Sequence, residues 1–408
     1  MMPTATYIPD ILQEHLEEVA FLWGQRQVAL HGPEYTVWQF LRLEDRIASH
    51  GSGLLAVGDL ALPLLEACLT QDDPLTVFAA AYALLRFGSP SAAGRVIETF
   101  SVAEGNKLAG LEAALSHAPL NGTAPRVEEL RRSATAPVAL AAATALTFSA
   151  IPIAAEEIVP FLRHDDADVR RRAWRLIGYL GASVGPKAYA AAMRDADATV
   201  RRAALWAGAW CGEQGVLTVC RGLAAEPTPD ALEDLELLAI LAGPEDLQLL
   251  NALIANDALG PGRYRLAGAY GHPGQMELVL GGIASEDPAV ATAAAAAFTK
   301  LMGVPIESDT RVTLPPADGS EPDGFEAEFL DEVRLPDAEL ARRHWARVGS
   351  WLQQASRMQR GFDVGRTLSP DEFAALDMRS RWEMWLRARF HGVWRGSPFR
   401  LERFPQQA

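Results

Sequence analysis

DADVRRRAWRLIGYLG, residues 166–181, is followed 31 residues later by the similar stretch DATVRRAALWAGAWCG, residues 197–212. The same step extends in both directions and aligns six windows, which begin at Asp73, Glu104, Thr135, Asp166, Asp197 and Thr228. In every window the eighth, eleventh and twelfth residues are apolar or small, and their i, i+3, i+4 spacing places them on one face of a helix. Glycine is the sixteenth residue of four windows, as is typical just after a helix C-terminus. The pattern therefore predicts a helix that recurs every 31 residues.

A second apolar-periodic segment follows most of these helices. Pro90, Pro186 and Pro244 stand near the start of such segments, where a missing backbone N–H breaks no helical hydrogen bond. A two-helix unit that is repeated many times is typical of an α-solenoid, because one unit buries its apolar face only against its neighbours. The motif D-x-x-V-R-x-x-A, present in both stretches quoted above, resembles that of short HEAT-type repeats.

These patterns predict an all-α fold with four regions. Residues 1–72 form a helical N-terminal cap, because their apolar periodicity lies outside the 31-residue register and repeat arrays need capped ends. Residues 73–303 form a HEAT-like α-solenoid of about eight two-helix repeats of ~31 residues. Residues 304–329, rich in Pro, Gly and acidic side chains, form a linker or loop. Residues 330–408 form an Arg-rich helical extension, in which one helix is expected to run from 370 to 390 with Ser369 as its N-cap.

The charge of the chain is unevenly distributed. The net charge is −15, yet the segment from Leu340 to the end carries +7, which leaves −22 for the remainder. The Arg-rich end can dock on the acidic repeats or present a basic site to a partner, and the sequence leaves both open. A strongly acidic body makes nucleic acid an unfavourable partner. Three cysteines without a C-x-x-C pair, and no apolar run or signal-like start, predict a cytoplasmic protein without a membrane span.

Six residues form the candidate partner-binding site, on the side of the repeated helix away from its apolar face. Stacked in two successive copies, they would form a strip of guanidinium and aromatic groups, which we call the Arg/aromatic strip. Such residue types dominate protein interfaces and also suit contacts with phosphate or bases. The alternative is that the aromatic rings pack against the adjacent repeat. The six residues are Arg171, Arg175, Tyr179, Arg202, Trp206 and Trp210.

Catalytic and metal-binding motifs are not evident in the sequence. His164, Asp165, Asp166 and Asp168 lie close together, but at a predicted helix start, where Asp is an expected cap. The chain contains no G-x-S-x-G, P-loop or H-E-x-x-H motif. We therefore predict a non-enzymatic protein with no catalytic residues, no metal and no cofactor.

Both ends of the chain resemble an uncharacterised family of bacterial HEAT-like repeat proteins. The stretches HLEEVAFLWGQRQVAL, residues 15–30, and LRLEDRIASHGSGL, residues 41–54, are similar to the opening of that family. DMRSRWEMWLRARFHGVWRG, residues 377–396, is similar to its closing helix. The family is associated with type VI secretion gene clusters. The resemblance implies a protein-binding role as an immunity protein, chaperone or adaptor for a secreted effector or toxin.

An enzymatic alternative remains open at this point. HEAT-like DNA glycosylases of the alkylation-repair type hold DNA on a solenoid face, and Arg171, Arg175, Trp206 and Trp210 could imitate that surface. The charge of −22 on the body argues against it, because duplex binding depends on many Lys and Arg contacts to phosphate. A phycobilin-lyase-like role is suggested only by the short repeat. The oligomeric state is not indicated by the sequence.

Overall fold

The computed structural model describes residues 9–133, 135–314, 330, 332–348 and 350–403. The chain is about 71% helical, and its described residues form 23 α-helices and a few short strands. The all-α class predicted from the sequence is therefore confirmed. Two compact units are present: Met1–Gly215 together with Arg389–Ala408, and Val216–Ala388.

The first unit contains twelve complete helices before residue 215 and one near the C-terminus. They are α1 Pro9–Leu30, α2 Val37–Ala56, α3 Leu62–Cys68, α4 Pro74–Arg86, α5 Pro90–Ser101, α6 Gly105–His117, α7 Ala124–Ser133, α8 Ala136–Phe148, α9 Ala155–Ile158, α10 Ala167–Leu180, α11 Pro186–Ala192, α12 Ala198–Cys211 and α23 Phe399–Glu402. Each of two further helices includes residues of both units: α13 Gly215–Leu223 and α22 Met378–Phe390.

The repeated sequence windows coincide with α4, α6, α8, α10 and α12, whose first residues are spaced by 31. Each of these helices packs against the next one in the series. Asp caps three of them, through hydrogen bonds from backbone N–H groups to Asp73, Asp166 and Asp197. The eighth window position has no exposed surface in any copy, which confirms the predicted buried face: Ala80, Leu111, Ala142, Ala173, Ala204 and Leu235.

One of these helices ends at an alanine where the others that end in a left-handed residue have glycine. Gly88, Gly181 and Gly212 take left-handed φ angles of 68°, 61° and 75° after their helices. In the third copy the same position is Ala150, which has a φ of 59°. A side chain in this region is strained by contact between Cβ and the carbonyl oxygen. The left-handed backbone conformation after the helix is thus kept at Ala150, although glycine is absent there.

The N-terminal helices pack directly on the first repeated helix. Leu12, Leu16 and Val19 of α1 are buried, whereas Ile11 is exposed. Trp23 of α1 stacks on Phe78 of α4, with ring centroids 3.9 Å apart. This contact extends the apolar core of the repeats into α1.

The second unit contains α14 Leu232–Leu241, α15 Leu247–Ile254, α16 Tyr264–Tyr270, α17 Met276–Ile283, α18 Pro288–Met302, α19 Ala338–Arg347, α20 Ser350–Gln353 and α21 Pro370–Ala375. Strand β1 Glu307–Thr313 pairs antiparallel with β2 Glu332–Pro336, and β3 Met358–Gln359 pairs with β4 Phe362–Asp363. Part of the segment predicted to be a linker or loop is therefore a strand. Residues 315–329 of that segment lie outside the described residues.

The single helix predicted over residues 370–390 is two helices, α21 and α22. Ser369 caps α21 as predicted, and its hydroxyl accepts a hydrogen bond from the Glu372 N–H. Asp377 begins a second helix instead of continuing the first, because its carboxylate accepts the Ser380 N–H at 2.7 Å. The break lies where this internal cap competes with helix propagation.

A C-terminal segment of the second unit runs along the ends of three of its helices. The buried Arg357 donates hydrogen bonds to carbonyl oxygens of Ala239, Ile240 and Ala242 at the end of α14, and of Ala269 in α16. The backbone N–H of Arg360 bonds to the Lys300 carbonyl in α18. Burial lowers the pKa of Arg357 to about 9, so the guanidinium remains charged at neutral pH. One arginine thereby satisfies carbonyl groups that a helix C-terminus leaves unpaired.

No single helix in the described part of the chain is long and apolar enough to cross a membrane. The helix pair Val37–Ala56 and Gly58–Cys68 meets the length and composition criteria only when both are taken together across a 106° bend.

Candidate functional site

A cavity of about 350 Å³ lies in the first unit, and we call it the Arg/aromatic cavity. Helices α1, α4, α6, α8 and α10 contribute its walls, and α23 contributes Glu402. Its lining residues are Trp23, Gln27, Pro74, Leu75, Ala109, Gly110, Glu112, Ala113, Ser116, His117, Leu140, Ala141, Thr144, Phe148, Arg171, Arg172, Arg175, Tyr179 and Glu402.

The 31-residue repeat explains how most of these side chains meet. Four positions of the repeated helix line the cavity in α6, α8 and α10 alike. Because successive helices pack in register, equivalent positions fall side by side. The four sets are Ala109, Leu140 and Arg171; Gly110, Ala141 and Arg172; Ala113, Thr144 and Arg175; and His117, Phe148 and Tyr179. Small residues in the earlier copies leave room beside the arginines of α10.

Two of the three cavity arginines are paired with carboxylates. Arg172 bonds to Glu112 at 2.8 Å and to Asp168 at 2.7 Å, and Arg171 also pairs with Asp168. Arg175 instead donates from Nε and Nη2 to the Tyr179 hydroxyl, at 2.9 and 2.7 Å. The charges of Glu402 and Glu112 also act on Arg175.

Glu402 of α23 is a second acidic residue that lines the cavity, besides Glu112. The Tyr179 hydroxyl donates to its Oε2 at 2.8 Å, so Arg175, Tyr179 and Glu402 form a hydrogen-bonded chain. Burial raises the pKa of Glu402, although the charge of Arg175 and the bond from Tyr179 oppose this change. The backbone carbonyl of Glu402 accepts a hydrogen bond from Arg26 at 2.9 Å. Arg26 itself is buried in a salt bridge with Glu44.

An aromatic cluster forms the floor of the cavity. His117 lies edge-on between the rings of Trp23 and Phe148, with centroid distances of 4.8 and 5.3 Å. Desolvation, with a further effect from Arg26, lowers the pKa of His117 well below its ordinary value, so its ring is neutral at physiological pH. Phe148 contacts the ring of Tyr179 at 5.1 Å. The cavity is thus lined by aromatic rings as well as by charged side chains.

The structure divides the Arg/aromatic strip. Arg171, Arg175 and Tyr179 line the cavity, whereas the other three strip residues, Arg202, Trp206 and Trp210, do not. The strip is predicted to lie on the surface, but Tyr179 and Trp210 are only 8% and 6% exposed. The ring of Tyr179 contacts Phe148 of the preceding repeat, as the packing alternative predicts, whereas the contact of Trp210 is with Trp394 near the C-terminus.

The C-terminal residues of the first unit cover the end of the strip. Trp210 packs against Trp394, with ring centroids 6.4 Å apart. Arg389 donates to the carbonyl of Gly181 at 2.6 Å and to that of Trp210 at 2.8 Å. It thereby joins the C-terminal ends of α10 and α12. For Arg389 and Trp394, these contacts agree with the interpretation that the Arg-rich end docks on the repeats.

Within the described residues, no group of three or more His, Cys, Asp and Glu side chains is arranged to hold a metal ion. Asp166, from the acidic cluster noted in the sequence, accepts the Asp168 N–H and caps α10. His164 accepts the backbone N–H of Asp166.

Sequence reasoning identifies the arginines of α10 but misses the cavity and Glu402. The small residues at the equivalent positions of α6 are a signal that could have indicated an open space. Glu402 lies 223 residues from Tyr179, and no local pattern joins them.

No protein-family model and no curated protein matches the chain. Among solved structures, an engineered protein from a structural genomics consortium is 16% identical, with a TM-score of 0.33, over 71% of this chain and 88% of that one. The YibA protein of Escherichia coli is 13% identical, with a TM-score of 0.29, over 72% of this chain and 97% of that one. These similarities are too low to carry an argument about fold or function.

Proposed function

We propose that the protein is a non-enzymatic scaffold that binds another protein through the Arg/aromatic cavity. The observation that carries this proposal is the make-up of the cavity, which is lined by three arginines of α10 together with aromatic rings of α1, α8 and α10. Arg, Trp and Tyr are the residues that contribute most to protein binding energy. A volume of about 350 Å³ accommodates one or two large side chains of a partner.

We also propose that the repeats form a HEAT-like α-solenoid of about eight two-helix units. The 31-residue spacing of five helix starts supports this architecture in the first unit. Such an array suits a binding protein, because successive copies present equivalent positions along one surface.

The partner that we would test first is a secreted effector of a type VI secretion system. This choice rests on the resemblance of the two ends of the chain to a family associated with such gene clusters. In that setting the protein would act in the cytoplasm as an immunity protein, chaperone or adaptor.

The DNA-glycosylase alternative receives no specific support from the geometry of the cavity. Arg171 and Arg172 are already paired with carboxylates, and Glu112 and Glu402 also line the cavity. Carboxylates at these positions would repel a phosphate backbone. Trp210, one of the residues that could have stacked on DNA, is buried.

A pair of equivalent charge reversals tests the proposal. Full-length protein is used to capture partners from its host, and a captured protein is then purified and titrated by calorimetry. Arg171→Glu should weaken binding at least tenfold, because Arg171 lines the cavity. Arg202→Glu, at the equivalent repeat position outside the cavity, is the matched control and should bind normally.

Thermal melts of both variants show whether each remains folded. Unchanged binding by a folded Arg171→Glu protein would contradict the cavity as the site. Equal loss in both variants would move the site to the whole Arg/aromatic strip. Release of bases from alkylated DNA by the purified protein would overturn the non-enzymatic proposal.

A further inference from the structure

The C-terminal turn, α23, occupies one wall of the Arg/aromatic cavity in the way that a bound peptide would. We infer that the protein partner presents a helical turn with an aromatic residue and a carboxylate three positions later, and that this turn replaces α23 at the cavity. The inference rests on the proposed function, because it names the chemistry of the partner at the same site.

The contacts of α23 define the two features of this turn. Phe399 is 6% exposed and forms a buried cluster with Phe148 and Tyr179. Its ring centroid is 5.8 Å from that of Phe148. Three residues later, the Glu402 side chain accepts the hydrogen bond from Tyr179. Residues three apart lie on the same face of a helical turn, so one face of α23 supplies both contacts.

The cavity also recognises the backbone of the turn. Arg26 donates to the Glu402 carbonyl at 2.9 Å, and its other bonds anchor it to Glu44. A carbonyl at the end of a helical turn has no partner within the helix. Any polypeptide that ends a helical turn at this point would offer Arg26 the same acceptor, whichever side chains it carries.

The segment is suited to displacement because it is short and incompletely fills the site. It consists of four helical residues, and its N-cap residue Pro398 provides no side-chain cap. Isolated helices this short are unstable in water, so α23 is held by its contacts with the cavity. The volume of about 350 Å³ that remains beside Glu402 would accept a longer acidic side chain or a larger ring.

Charge favours a carboxylate as the competing group. If α23 left the cavity, the Tyr179 hydroxyl and Arg175 would lose Glu402, the acceptor at the end of their hydrogen-bonded chain. An incoming Glu or Asp restores that acceptor, whereas a Lys or Arg would place a second positive charge beside Arg175. We therefore expect an acidic residue at this position of the partner. The net charge of −15 on this chain does not oppose this, because the local charge beside the site is that of Arg175.

A peptide of this chain provides the probe. A fluorescein-labelled peptide SPFRLER, corresponding to residues 397–403, is titrated against the full-length protein and followed by fluorescence anisotropy. In the full-length Phe399→Ala/Glu402→Gln variant the internal turn is weakened, and the peptide should bind at least tenfold more tightly than to the unaltered chain. Arg400→Ala, at an exposed position of the same turn, is the matched control and should behave like the unaltered chain.

The peptide SPARLQR, which lacks the ring and the carboxylate, should not bind the double variant. Absence of SPFRLER binding to a folded double variant would overturn the inference. If the double variant does not fold, Tyr179→Phe replaces it and is examined by hydrogen exchange. Loss of the bond to Glu402 should then speed exchange of amides 399–403 at least tenfold, and unchanged exchange would overturn the inference.

These outcomes are separable from those of the proposed function, since the peptide experiment requires no partner. A partner that binds the cavity without competing with SPFRLER would leave the proposed function intact and reject the inference. Peptide binding without any captured partner would support the recognition chemistry and reject the proposed role.

Discussion

Helices α10 and α12 begin with nearly the same sequence and end at left-handed glycines, yet equivalent positions on them have different environments. Arg171, Arg175 and Tyr179 of α10 line the cavity. In α12 the equivalent residues lie outside it, and Trp210 is covered by Trp394. The repeat therefore fixes which face of each helix is buried, whereas side-chain volume and the C-terminal segment decide where an open space remains.

The largest loss of stability is expected at the repeat position that is fully buried in both α10 and α12. Ala204→Asp places a charge at a position with no exposed surface, as would Ala173→Asp in the preceding copy. An unpaired buried charge should lower the free energy of unfolding by about 3–5 kcal/mol in either copy. Urea denaturation measures this loss. The exposed control Ala198→Asp, at the first turn of α12, should leave stability unchanged or slightly higher.

Arg389 links the two copies, and its removal should have the next largest effect. Arg389→Met keeps an unbranched side chain but leaves the carbonyls of Gly181 and Trp210 without this donor. We expect a loss of about 2 kcal/mol, because partly buried carbonyls lose charge-assisted hydrogen bonds. Chemical denaturation is the measurement. Equal stability of Arg389→Met and the unaltered protein would mean that these ends are satisfied in another way.

Helix α8 is followed by Ala150, whereas α10 and α12 are followed by glycine, so only α8 of these three can be stabilised by a change to glycine at this position. Ala150→Gly should raise the free energy of unfolding by about 1 kcal/mol, since glycine adopts the left-handed conformation without strain. The reverse change distinguishes the copies further. Gly181→Ala should cost more than Gly88→Ala, because the added Cβ would lie 2.6 Å from Arg389 Nη2 at position 181 and meets no atom at position 88. Thermal melts rank the three variants.

The smallest expected effect is on the pH dependence of stability, and it arises from Glu402, which is bonded to Tyr179 of α10. Burial raises the pKa of Glu402 in the folded state, so the folded protein binds this proton more tightly than the unfolded chain. The contribution of Glu402 to stability should be greatest below its unfolded pKa of about 4.3 and should fall as pH rises through the folded value. Glu402→Gln should flatten this part of the stability–pH curve. An identical curve would show that Glu402 titrates alike in both states.

The predictable part of the fold is the part that depends on local periodicity. The 31-residue step locates the helix starts at Asp73, Asp166 and Asp197, and it identifies Ala204 as buried, because helix caps and buried faces are properties of neighbouring residues. The strand at Glu307–Thr313 is not indicated by local sequence, since its pairing partner lies beyond a long acidic segment.

The candidate site is less accessible to sequence reasoning. Arg171 and Arg175 were identified from residue type, but whether they face a cavity depends on side chains one and two repeats away, such as Ala113 and Thr144. The burial of Trp210 by Trp394 and the bond from Tyr179 to Glu402 each join residues that lie far apart in the chain, 223 positions in the second case. Contacts between residues so far apart produce no periodic pattern in the sequence.

The bonds from Arg389 to α10 and α12 have a consequence for the order in which the chain is made. During synthesis, Gly181 is added 208 residues before Arg389, and Trp210 is added 179 residues before it. Until then the carbonyls of Gly181 and Trp210 must bond to water, so the first unit cannot reach its final stability while its C-terminus is still being synthesised. A chain that stops before Arg389 would therefore carry complete helices with incompletely satisfied ends, a fault that quality-control proteases can detect through faster local opening.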